Sequence, residues 1–278
     1  MADVPRIVIA LDPSAAEASA FDVLRYLRSA DVDLAGIFVE DSNLLSHARS
    51  SLAREIDAAG ARDFEIESLE RQLRARSAEM RRYFDSIAQA LRGRHSFHVA
   101  RGEVVAEIER VAANCELLVV GVALAHRGLR ARWGADIHRL TAAGATTTVF
   151  TRDVTPRNAI VTCVLRDADD VAAVAPTALR VARASHAPLR VLIVADGADS
   201  VARARETMTE ALAGFDGPVR CDVVGDRTAT TLQRVIGTNE GCTLVLAAGD
   251  MEADAELLRD LLAQTAWDVM LVRDAPTA

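Results

Sequence analysis

An order of short apolar strands and helices runs through the first half of the chain and then starts again, and this repeat constrains the fold more than any single motif. In the first pass, Arg6 to Leu11 (RIVIAL) is a β-branched apolar run that stops at Asp12-Pro13-Ser14, where helix-capping chemistry begins. A helical stretch at 15–29 follows, with apolar residues at Phe21, Leu24 and Leu27. Further strands are expected at 32–39, 97–100, 117–121 (LLVVG) and 146–150, with a helix at 104–113. In the second pass, strands at 159–164 (AIVTCV), 190–194, 220–224, 244–249 (LVLAAG) and 269–272 answer these five in order. Each pass closes on Arg-Asp, at Arg152-Asp153 and Arg273-Asp274, and Thr155-Pro156 interrupts the pattern between them. Strands alternating with helices imply parallel pairing and right-handed crossovers. The expected fold class is α/β: two tandem open, mostly parallel five-stranded sheets flanked by helices, one in residues 1–153 and one in 154–278.

Length and composition agree, since 278 residues suit two modest units. Half the residues are apolar but only 4% are aromatic, so the core has to be built from Ala, Val, Leu and Ile, as in helix-covered parallel sheets. The first pass is longer because of an insert at about 43–92, which reads as two helices, 43–59 and 63–92, separated by Gly60. In the longer one Ile66, Leu69, Leu73, Met80, Phe84, Ile87 and Leu91 recur at helical spacing. Such a helix reaches on the order of 40 Å, and either lies on the sheet as a crossover or projects to pair with a partner.

Several function classes are excluded by what the chain lacks. It contains no lysine, so all 32 positive side chains are arginines and no Walker, Schiff-base or kinase-type lysine exists. There is no GxGxxG, GxSxG or HExxH, and the six histidines form no ligand cluster, so neither a catalytic constellation nor a metal site is expected. A net charge of −8 argues against a nucleic-acid or anionic-membrane partner. No apolar run approaches the roughly 20 residues of a membrane span, and residues 1–5 lack signal-peptide features, so a cytoplasmic location is expected. Cys115, Cys163, Cys221 and Cys242 are scattered without CxxC spacing and read as reduced packing thiols; Cys163 and Cys221, each inside an apolar strand, are expected not to be catalytic.

The element order, the Asp after the first strand, Arg101-Gly102-Glu103-Val104 before a helix, and Leu117-Leu118-Val119-Val120-Gly121 ending the fourth strand together resemble the universal stress protein family, once per half. In the first half, residues 38–45 (FVEDSNLL) and 69–73 (LERQL) also resemble a tandem proteobacterial branch of that family. The resemblance implies a site at the carboxyl ends of the strands. In ATP-binding members the fourth strand runs into Gly-x-x-Gly and, further on, Gly-Ser or Gly-Thr, whose backbone N–H groups cradle phosphates at a helix start. Set on this chain, that register places Gly121, then Leu124 where the second glycine belongs, then Gly134 followed by Ala135 where the hydroxyl belongs. Asp12 matches the nucleoside-binding acid and is equally readable as a turn or N-cap residue; Phe38 or Val39 stands at the end of the second strand.

Half of the phosphate motif is therefore lost. The loop at 126–139 carries Arg127, Arg130, Arg132 and Arg139 against the single acid Asp136, and either grips an anion through arginine forks or is an ordinary solvated loop. In the second half Leu165 stands where Asp12 would align, and Gly249 runs into Asp250-Met251-Glu252. The expected function is a binding or sensing module of the stress response. It requires no cofactor and has a vestigial or altered nucleotide site in the first half and none in the second. The alternatives are an ATP- or adenylate-gated switch using the first half and, third, a weak ATPase or nucleotide-modifying enzyme. The halves are expected to pack as an intramolecular pseudo-dimer through their fifth strands or the helices beside them, with a further homodimer and an unidentified protein partner left open.

Overall fold

The computed structural model describes residues 5–11, 31–49, 54–57, 60–63, 66–89, 91, 93–121, 139–140, 145–151, 160–194, 197–237, 241–249 and 251–273. In the first half these form β1 (Arg6–Leu11), β2 (Asp33–Asp41), α1 (Ser42–Ala48), β3 (Arg54–Asp57), β4 (Gly60–Asp63), α2 (Ile66–Ala88), β5 (His95–Gly102), α3 (Val104–Ala112), β6 (Leu117–Gly121) and β7 (Thr147–Thr151). The second half supplies β8 (Ile160–Leu165), α4 (Asp169–Ser185), β9 (Leu189–Val194), α5 (Ala198–Ala211), β10 (Val219–Val224), α6 (Ala229–Ile236), β11 (Cys242–Ala247), α7 (Met251–Gln264) and β12 (Asp268–Val272). The expected helix at 15–29 lies outside the described residues.

Ten strands join in one sheet, in the order β10-β9-β8-β11-β12-β7-β6-β1-β2-β5. The two five-stranded sheets expected from the sequence are continuous at their fifth strands, β7 and β12, which pair antiparallel with Val269 opposite Phe150 and Val272 opposite Thr147. Both strands are apolar enough to read as edges, yet pairing them places them at the centre, where all five residues of β7 are buried. Every other neighbouring pair in the sheet is parallel. Alternation along the strands feeds two cores. Ile7, Ile9 and Leu11 face the layer of α2, α4 and α5, while Val8 and Ala10 face that of α3, α6 and α7.

The insert departs from the sequence reading. In place of a helix over 43–59 there is a short α1, capped by Asp41 accepting from the Asn43 N–H at 2.8 Å, and then the hairpin β3–β4 with Asp57 opposite Gly60. The long helix keeps its stripe but is shorter than 63–92, about 34 Å at 1.5 Å per residue. Met80, Phe84 and Ala88 are buried in the core on the sheet and Leu73 is buried as well, so this is a crossover helix over β2 and β5. Phe84 packs tilted on Phe97 of β5 at 5.5 Å between ring centroids, and Arg81 lies over the same ring while donating to the Phe97 carbonyl at 3.2 Å.

Candidate functional site

In each half the strand order reverses direction at one place, between β1 and β6 in the first and between β8 and β11 in the second. The crevice at the carboxyl ends of such strands is where open parallel sheets take ligands. On the first-half side, Gly121 ends β6, buried and opposite Thr151 of β7. Asp12, Leu124, Arg127, Arg130, Gly134 and Ala135 lie outside the described residues.

Phe38 and Val39 do not end their strand, as the sequence reading had them. β2 runs two residues further, to Asp41 opposite Gly102, because β5 is also longer than expected and Arg101 donates to Glu40 at 2.9 Å across the pair. Phe38 is buried in the core against α2 and Val39 in the core on the opposite face, so both side chains serve packing. Glu70 on α2 takes a looser pair with Arg101 at 3.7 Å, which ties the insert to this end of the sheet.

Arg139 is already held by protein carboxylates. It donates to Glu109 at 2.7 Å and to Glu103 at 2.8 Å, and these two hydrogen bonds, Glu109 first, raise its pKa. Glu103 also caps α3, accepting from the Ala106 N–H at 3.3 Å. The Arg-Gly-Glu-Val motif therefore anchors the end of the arginine loop to the helix that follows it.

The second-half crevice holds a cluster that sequence reading missed. Leu165 ends β8 buried in the core, and the next residue, Arg166, turns its guanidinium onto Gly249, two residues beyond β11, where a Cβ would collide with it. Asp170 in the first turn of α4 fixes this arginine, accepting from its backbone N–H at 2.7 Å, from Nε at 2.9 Å and from Nη2 at 2.6 Å. The hydrogen bond to Asp170 is the main reason that the Arg166 pKa is raised, and Asp254 and Asp167 add charge attraction. Asp254, buried in the first turn of α7, accepts from the Gly249 N–H at 2.6 Å through one oxygen and from Arg227 at 2.6 Å through the other. Nearby Asp226 accepts from the hydroxyl and the backbone N–H of Thr228, the N-cap of α6, and hydrogen bonding from Thr228 holds its pKa down at about 2. Arg273, just beyond β12, keeps Nη2 buried without a partner, and burial lowers its pKa.

Of this cluster, only the i,i+4 spacing of Arg166 and Asp170 is visible in the sequence. Arg227 and Asp254 stand 27 residues apart and meet only through the topology. The thiols divide: Cys115, Cys163 and Cys242 are buried, and burial pushes their pKa values up to about 11, 12 and 12. Cys221 was expected inside an apolar strand; it is exposed, because β10 is an edge strand with no neighbour beyond it among the described residues. Among those residues no group of three His, Cys, Asp or Glu side chains is placed to hold a metal, and no helix is long and apolar enough to cross a membrane.

No protein-family model matches the sequence, and no curated protein matches it. Solved structures do match the fold. A universal stress protein from Archaeoglobus fulgidus superposes with a TM-score of 0.61 at 13% identity, covering 98% of this chain and 97% of its own. The cytoplasmic domain of a prokaryotic cation chloride cotransporter follows with a TM-score of 0.56 at 13% identity, covering 98% and 96%. A Pseudomonas aeruginosa protein assigned to the universal stress proteins gives 0.53 at 14%, covering 97% and 93%. Over nearly its whole length, then, this chain has the α/β fold of the universal stress proteins.

Proposed function

We propose that the protein is a tandem universal stress protein that acts in the cytoplasm by binding a protein partner, not by catalysis. The observation that carries this reading is the second-half crevice, where Arg166 pairs with Asp170 and Arg227 with Asp254, so that these four charges neutralise one another instead of facing a ligand. In the first half the reading rests on sequence: Leu124 and Ala135 replace the glycine and the hydroxyl that a phosphate loop needs, and the nucleotide site is vestigial. The fold also forms the cytoplasmic domain of a cotransporter, so it is compatible with a role as an appended or partner-binding module.

Calorimetry with ATP on the unaltered protein and on the Leu124→Gly/Ala135→Ser variant tests this. Two or three lost hydrogen bonds to charged oxygens, at about 1.5 to 3 kcal/mol each, turn micromolar binding into millimolar or weaker. The unaltered protein is expected to show no binding in the micromolar range and the double variant to gain it. Tight ATP binding by the unaltered protein, or adenine nucleotide released on denaturing fresh preparations, favours the nucleotide-gated switch instead and points to Arg127 and Arg130 as phosphate ligands.

A further inference from the structure

At one end of the ten-stranded sheet, β10 presents a row of side chains that is complementary to itself. Read outward from Cys221, the strand is symmetric in chemistry: Arg220 and Asp222 flank the cysteine, and Val219 and Val223 flank those. Val219, Cys221 and Val223 register with Leu189, Val191 and Ile193 of β9, so all three share the face of the sheet that carries α4 and α5. That helix layer does not cover them. Val219 and Val223 are 41% and 43% exposed, two of the four large apolar side chains that stand out among the described residues, and Cys221 between them is exposed as well.

An exposed strand edge with apolar residues at alternate positions is a template for pairing, and β10 has no strand beyond it among the described residues. An antiparallel strand centred on the same residue would set Cys221 opposite its copy, Val219 opposite Val223 and Arg220 opposite Asp222, each pair on one face. Within the chain Asp222 already accepts from Arg190 at 2.8 Å and from Arg220 at 3.1 Å. The Arg220 side chain is 71% exposed and can exchange its bond to Asp222 for the same acid of a copy across the edge, while Arg190, only 13% exposed, keeps Asp222 in place. The opposite edge, β5, has no such symmetry: its sequence HSFHVARG places no acid opposite its arginine in any centred antiparallel register.

We infer that β10 is a self-association edge, through which a second copy of this chain pairs antiparallel about a two-fold axis at Cys221 and extends the sheet across the dimer. The occupant is this chain itself, because only an identical strand supplies all five matching partners in one register. The inference is independent of whether either half binds a nucleotide. Such a contact is small beside a standard interface, so dissociation constants on the order of 10 to 100 μM are expected.

The test is sedimentation over a concentration series under reducing conditions, with two variants. Arg220→Asp sets like charges against Asp222 of the copy, and Val223→Asp places a charge in the apolar stripe without touching the Arg190–Asp222 pair. Each is expected to raise the dissociation constant at least tenfold while leaving the far-ultraviolet circular dichroism unchanged. Opposed residues of an antiparallel pair have Cα atoms about 4.5 to 5.5 Å apart, within disulfide range, so diamide, itself reduced as it accepts two electrons and two protons from a pair of thiols, should join Cys221 to Cys221 in a dimer that Cys221→Ser abolishes. A chain that stays monomeric throughout the series overturns the proposal. So does a dimer that survives both charge variants, or one whose Cys221 residues do not cross-link.

Discussion

Gly36 on β2 is where the long helix of the insert meets the sheet, and replacing it with alanine tests whether that helix is part of the core. A Cβ built there would sit 2.8 and 2.9 Å from two ring carbons of Phe84 and 2.9 Å from one of Phe97, against an ordinary carbon–carbon contact of about 3.5 to 4.0 Å. Both rings would have to retreat by more than half an ångström, and neither has room, since Phe84 is fully buried and Phe97 nearly so. Overpacking of this kind costs about 1 to 3 kcal/mol. Gly36 is not in the positive-φ region, so alanine fits its backbone and returns about 0.4 to 1 kcal/mol by restricting the unfolded chain. The expected net loss is about 1 kcal/mol, read as a lower urea midpoint at unchanged slope. With Phe84→Leu already present one of the two clashes is gone and Phe97, which packs on residue 84, has room to shift, so Gly36→Ala should cost clearly less, a coupling of about 1 kcal/mol between the two sites. An equal loss in both backgrounds, or none in the unaltered protein, would refute the packing argument and favour a helix that lifts away from the sheet.

Two further perturbations test other parts of the structure. Asp254→Ala leaves the Gly249 N–H and the Arg227 guanidinium without their acceptor, and should lower stability by about 3 kcal/mol in denaturant titration, whereas Asp254→Asn, which keeps the shape and one acceptor, should cost less. The buried thiols make stability fall at high pH: their pKa values are raised from 9.0 to about 11 for Cys115 and about 12 for Cys163 and Cys242, so the unfolded chain loses its thiol protons first. Their contribution is intact below pH 9 and shrinks as pH rises from there towards 11 to 12, by about 1.4 kcal/mol per pH unit for each thiol. Urea midpoints at about pH 8 and about pH 10 check this, and Cys163→Ala should flatten the slope. A maleimide should meanwhile label Cys221 alone in the folded protein.

The sequence by itself determined the ten strands of the main sheet and their order along the chain in both halves, because each strand carries its own signal: a short apolar run such as RIVIAL or LLVVG, bounded by turn chemistry, has few other uses. The stripe of α2 was legible for the same local reason, with Leu73, Met80 and Phe84 at helical spacing and buried as that spacing requires. The hairpin of β3 and β4 was not, since Arg54–Asp57 and Gly60–Asp63 carry no apolar alternation and are strands only because they pair with each other. The sequence pointed to the fifth strands or the helices beside them as the place where the halves meet, and tertiary structure decided that the strands themselves pair, antiparallel, at the centre of one sheet. An apolar strand wants a neighbour, but its composition does not say which strand supplies one. It also decided that the acids of the second half neutralise that half's own arginines: Asp254 reaches Gly249 and Arg227 because β11 and the head of α6 are brought to the same end of the sheet, and no spacing along the chain encodes that meeting. Exposure of Cys221 has the same origin, for a thiol in an apolar strand reads as core until the topology makes that strand an edge.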